Sequence, residues 1–186
     1  KCILMIDGTK VSKISEEWLD RILNENEISN TRAWTYSKNN HSFYLFTIGN
    51  ETYCYDIMTG EWHIRSSRNF YTSKNKPYMP LYAVWFNNKI ITGCCENGNL
   101  YILDDNYYRE DFNDKDSLPL YRVRQTPVIT ADYKPFVFYE LALECNAGSI
   151  ENYGQLSKAL LQLSNDGGYT FGNCIEGQLG YRGEYS

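Results

Sequence analysis

A chain of 186 residues is long enough to bury one real core. Its 18 basic and 23 acidic side chains leave a formal charge of −5, which argues against a broad basic face gripping duplex DNA but leaves room for a local basic loop. No apolar run reaches the ~18–20 residues of a membrane span, and no signal peptide is visible.

The chain opens Lys1-Cys2-Ile3-Leu4-Met5-Ile6, strand-like from the start and without an initiator Met, so it is expected to be a piece of a longer protein. Ile3 to Ile6 predicts a strand that ends at the turn signal Asp7-Gly8, and Lys10 to Ile14 predicts its partner. Ser15 is the expected N-cap of a helix over residues 16 to about 25. Glu16 and Glu17 suit its first turn, and Trp18, Leu19, Ile22 and Leu23 share one face.

From Arg32 onward the pattern is almost entirely β. Ala33–Tyr36, Ser42–Ile48 and Glu51–Asp56 read as strands joined at Asn39-Asn40 and Gly49-Asn50, with a fourth strand after Thr59-Gly60. A second unit repeats the scheme through Leu81–Phe86, Asn87-Asn88, Lys89–Cys94, Asn97-Gly98 and Leu100–Leu103. A third is expected from Leu120–Ile129, Phe136–Cys145 and Ala159–Ser164. Antiparallel meanders recurring every ~40–50 residues are the pattern of propeller blades. A β-sandwich has similar strand lengths, but the recurring turn followed by an aromatic favours the propeller. The aromatic content of 16%, with 17 tyrosines, suits strands and interfaces. The expected fold class is mainly β: a β-propeller, or part of one, over residues 1–186, with one short N-terminal helix.

The chemistry-bearing residues are sparse. His41 reads as a turn residue, and His63 follows Trp62 on a strand. No phosphate loop, metal-binding helix or nucleophile grouping is visible. Of the six cysteines, Cys54 reads as a small buried hydrophobe, and Cys94-Cys95 point to opposite faces of one strand. Cys2, Cys145 and Cys174 complete the set, and no Cys-x-x-Cys supports zinc; the thiols are expected to be mostly reduced. The acidic run Asp104, Asp105, Glu110, Asp111, Asp114 and Asp116 lacks the glycine and terminal glutamate of an EF-hand and reads as a solvated loop. No metal or cofactor is expected. Arg65, Arg68, Lys74 and Lys76, interleaved with Phe70, Tyr71 and Tyr78, form a candidate partner or phosphate contact, weighed against a plain solvated loop.

Residues 164–171, Ser-Asn-Asp-Gly-Gly-Tyr-Thr-Phe, fit the Asp box pattern Ser-x-Asp-x-Gly-x-Thr-aromatic of sialidase-like and related propellers. Asp166 is expected to close the turn on its own backbone amides, with Ser164 opening the box. Gly167 and Gly168 supply positive φ, and Thr170 and Phe171 restart a strand with Phe171 buried. The box is a folding device. A sialidase-like enzyme would need paired carboxylates and an arginine cluster, whereas the arginines at 21, 32, 65, 68, 109, 122, 124 and 182 are scattered.

The order of the pieces is more specific than any one of them. Residues 43–56 (Phe-Tyr-Leu-Phe-Thr-Ile-Gly-Asn-Glu-Thr-Tyr-Cys-Tyr-Asp) are followed by Thr59-Gly60-Glu61-Trp62-His63-Ile64-Arg65. Then come Gly98–Asp104, Arg124–Ile129, the Asp box and Leu179–Tyr185. In that order, with Asp7-Gly8 and Lys13–Ser15 ahead of them, they resemble the packaged-DNA stabilization proteins of short-tailed bacteriophages. The resemblance implies a non-enzymatic tail-hub protein of the virion, made in the host cytoplasm. Such a protein helps retain packaged DNA and connects portal-proximal and distal tail parts. Its implied partners are portal-vertex and other tail proteins and further copies of itself, with DNA contact at most local. The alternatives are a glycan-binding or sialidase-like propeller and a kelch-like scaffold.

Overall fold

The structure is a computed structural model that describes residues 1–69, 72, 74–94, 96–107, 109–111, 117–131, 134, 136–144 and 158–179. Phe70, Tyr71, Cys95, Asp114, Asp116, Cys145, Arg182 and the stretch 180–185 lie outside the described residues. The chain packs as two compact units, Lys1–Arg122 and Val123–Ser186.

The first unit begins with the hairpin β1 (Leu4–Asp7) and β2 (Lys10–Lys13), in register Asp7↔Lys10. Its two-residue loop starts at Gly8 with φ 59°, a value that a residue without Cβ adopts at no steric cost. Helix α1 (Glu17–Glu25) follows, one residue later than the sequence reading. Ser15 is not its cap: the N-cap is Glu16, with no side-chain capping bond. The Ser15 hydroxyl is committed elsewhere, accepting the Ile3 amide at 3.0 Å and donating to Asp20 Oδ1 at 2.5 Å. It therefore ties the start of the hairpin to the helix.

A short 3-10 turn at Ile28–Asn30 leads into a five-stranded antiparallel meander: β3 (Arg32–Lys38), β4 (His41–Ile48), β5 (Glu51–Asp56), β6 (Glu61–Arg68) and β7 (Asn75–Pro77). The β3–β4 loop is Asn39-Asn40 with φ 52° and 64°, both positive as a type I′ hairpin turn requires. The β5–β6 loop closes on Asp56, whose backbone O accepts Gly60 N–H at 2.8 Å and whose Oδ1 accepts Met58 N–H at 2.9 Å. A second meander has the order β8 (Pro80–Phe86), β9 (Lys89–Cys94) and β10 (Leu100–Ile102), with Asn87 and Asn88 again at positive φ. Its register slips between Pro80 and Ala83. The pair β11 (Arg109–Asp111) and β12 (Ser117–Pro119) completes the unit's strands.

Period-two alternation explains how these sheets stack. One face of the five-stranded sheet carries Phe46, Ile48 and Tyr53, which bury against Leu19 and Leu23 of α1, with Trp18, Trp62 and Ile3 at the margin. Trp62 Nε1 donates to Ile14 O at 2.7 Å, anchoring β6 under the hairpin. The other face carries Trp34, Leu45 and Cys54, packed against Ala83 of the second meander and against Tyr78 and Leu103, which flank its strands. The two antiparallel meanders expected as blades are formed, and they stack face to face.

In the second unit, β13 (Lys158–Leu161) and β14 (Ile175–Gln178) pair antiparallel, in register Leu161↔Ile175. The third meander expected here is mostly not formed. Residues 120–129 and 136–144 are in no strand, and Val123 and Tyr139 are 85% and 97% exposed. The strand expected over Ala159–Ser164 ends at Leu161.

Candidate functional site

Strand β6 and its return through β7 place the four candidate cations. Arg65 shares a face of β6 with His63 and Ser67, the face turned toward the second meander. Its guanidinium lies over Phe43 (5.0 Å), Tyr36 (5.4 Å) and Tyr78 (6.0 Å). It donates through Nη1 to Tyr36 Oη and through Nε to His63 Nε2 at 3.2 Å. His63 Nε2 therefore acts as an acceptor here, so the ring is neutral with its proton on Nδ1. Burial pushes the Tyr36 hydroxyl up to about 12 and the Cys54 thiol behind it up to about 11. Both stay protonated at neutral pH, so neither offers a nucleophile. The arrangement is a cation held by rings.

The other three cations diverge in their partners. The Arg68 guanidinium sits 4.4 Å over the Tyr121 ring, while its backbone N–H donates to Glu110 Oε2 at 2.9 Å. Lys76 pairs with Glu96 at 2.6 Å. Lys74 is exposed in the turn before β7, its backbone O accepting Asn69 N–H at 2.8 Å. The structure thus gathers the four on one hairpin but engages Arg65, Arg68 and Lys76 with protein groups. Of these four cations, Lys74 is the one whose residue is exposed. The partners Tyr36, Glu96, Glu110 and Tyr121 were not found by sequence reasoning. The β alternation that puts His63 and Arg65 on one face was the only signal available.

His41 is the first residue of β4 rather than a turn residue, and its Nδ1 lies 2.7 Å from Asp56 Oδ2. It stacks on Phe43, which meets His63 edge-on. Hydrogen bonds from the Met58 amide and His41 hold the Asp56 carboxyl below its ordinary value against the opposing effect of burial. These groups lock loops together. Asp105 does likewise, pairing with Lys38 at 2.9 Å and accepting from Asn39 Nδ2 at 2.8 Å. No group of three or more metal-ligating side chains occurs among the described residues. A cleft of about 470 Å³ between β3 and β8 is lined by Thr35, Tyr36, Ser37, Ala83, Val84, Trp85 and Ile90. That lining contains neither a carboxylate nor an arginine, the groups a sialidase-like site requires.

Residues 164–171, the expected Asp box, lie in the loop between β13 and β14. Asp166 Oδ1 accepts Ser164 Oγ–H at 2.7 Å and Thr170 N–H at 2.9 Å, and Oδ2 accepts the Thr170 hydroxyl. Ser164 Oγ in turn accepts Gly168 N–H at 2.8 Å. Gly167 and Gly168 have φ 76° and 93°, and a Cβ on Gly168 would lie 3.0 Å from the Gln125 side chain. Asp166 thus accepts a backbone amide of its own turn, that of Thr170. Two details differ. The strand resumes at Ile175 rather than at Thr170, and Phe171 is 46% exposed rather than buried. Gly172 N–H bonds Leu163 O at 2.8 Å, which extends the loop past Phe171 and keeps it off the ladder. Cys54 is buried as expected, and Cys2, Cys54, Cys94 and Cys174 are free thiols.

With this geometry in place, a phage-stabilisation family model described as bacteriophage P22 Gp10, beta-propeller, matches residues 1–108. The matched span holds the hairpin, α1 and both stacked meanders. Neither a curated protein nor a solved structure matches the chain.

Proposed function

The chain belongs to the bacteriophage P22 Gp10 β-propeller family, and from that membership we propose that it works in the phage tail hub, helping to retain packaged DNA and joining portal-proximal to distal tail parts by protein–protein contact. The family match shows a phage structural protein with a β-propeller fold. What supports the tail-hub proposal is the matched span itself, two meanders stacked through apolar faces with α1 packed on the outer face of the first. In this proposal such a stack acts as a connector. Its polar groups serve the fold: the half-buried Arg65 goes to rings, the buried Asp56 to His41 and the exposed Asp105 to Lys38.

In this reading the protein is not an enzyme and uses no cofactor. Its partners are portal-vertex and other tail proteins, with further copies of itself in the virion. The test is a pull-down of the 186-residue chain with portal-vertex proteins, run beside a glycan-hydrolysis screen. Capture of a portal-vertex protein without turnover is the expected result. Turnover of a sialoside, abolished by changing one carboxylate, would replace the structural reading with the sialidase-like one.

A further inference from the structure

We draw no further inference here: the strongest candidate, the exposed apolar face of the β8–β10 sheet carrying Tyr82, Val84, Phe86, Leu100 and Ile102, carries nothing because nothing in the structure shows what covers it.

Discussion

Because the Arg65 guanidinium donates through Nε to His63 Nε2, protonating that imidazole removes the acceptor and sets a second cation 3.2 Å from the first. Burial of the ring and then the Arg65 charge hold His63 below its ordinary value, while Asp56 and Glu61 oppose them. A histidine depressed in the fold contributes stability that is fully present above about pH 6.5, its unfolded value, and is lost as pH falls through the folded value. His63→Gln keeps an uncharged acceptor at every pH. The gap in melting temperature between parent and variant should therefore shrink from pH 7.5 to pH 5; a constant gap would show that the ring does not titrate against Arg65. Asp166 loses its contribution in the same direction, as pH falls, but in a lower range. The Thr170 hydroxyl, its amide and Ser164 Oγ hold this carboxyl well below the usual carboxylate range. Its contribution is present above about pH 3.9 and is lost only in stronger acid. Asp166→Ala should lower the exchange protection of the Thr170 amide equally at pH 5 and pH 7, and unchanged protection would mean that the carboxylate does not hold the turn. The two sites differed in legibility for a plain reason. The Asp box makes its bonds within its own eight residues, whereas Arg65 finds Tyr36 and Tyr78 at separations of 29 and 13, pairings that only the register of other strands decides.

At the scale of the element, helix α1 is the seal of the first meander. Leu19 is 0% and Leu23 5% exposed beneath Trp18 and Tyr53, so truncation there opens a cavity that the sheet cannot collapse to fill. Leu19→Ala should cost about 2–5 kcal/mol, measured by denaturant unfolding, whereas Glu25→Ala on the solvent side should be near neutral. A comparable loss for both would mean that the helix does not rest on the sheet. The crossing between meanders depends on a buried hydroxyl. Ser67, 1% exposed, accepts the buried Met79 amide at 3.1 Å just before β8. Ser67→Ala leaves that amide without an acceptor and should cost about 1–3 kcal/mol, while Ser67→Thr, which restores the hydroxyl, should recover part of it. Strands in the family-matched span were readable because alternation and turn chemistry agreed there: Asn39-Asn40, Gly49-Asn50 and Asn87-Asn88 each connect paired strands. Residues 120–129 and 136–144 carry apolar content suited to strands but form none. Side-chain pattern marks a surface that could pair, and pairing still needs a neighbouring edge in register. Ser15 failed as a cap for a related reason, since its hydroxyl has a better use against Ile3 across the hairpin.

For the whole molecule, charge and connectivity bear on function together. The net charge of −5 opposes approach to a polyanion, and the hairpin that gathers four cations also brings in Glu96 and Glu110. Arg65 is enclosed by rings, Lys76 is paired and Arg68 lies over Tyr121, so a DNA strand reaching this hairpin meets Lys74 first. Each phosphate neutralised contributes about 0.9 to the slope of log affinity against log salt on duplex DNA, and about 0.7 on a single strand. The chain should accordingly bind duplex DNA weakly, with a slope near 1 that Lys74→Ala abolishes and Arg65→Lys leaves in place. Filter binding across a salt series measures it. A slope of 3 or more would mean that the ring-held and paired cations swing out to meet phosphate, and the proposed DNA retention would then rest on direct grip. A slope near 1 fits the proposed retention by closure, in which a stack of sheets would be held across the channel by protein partners.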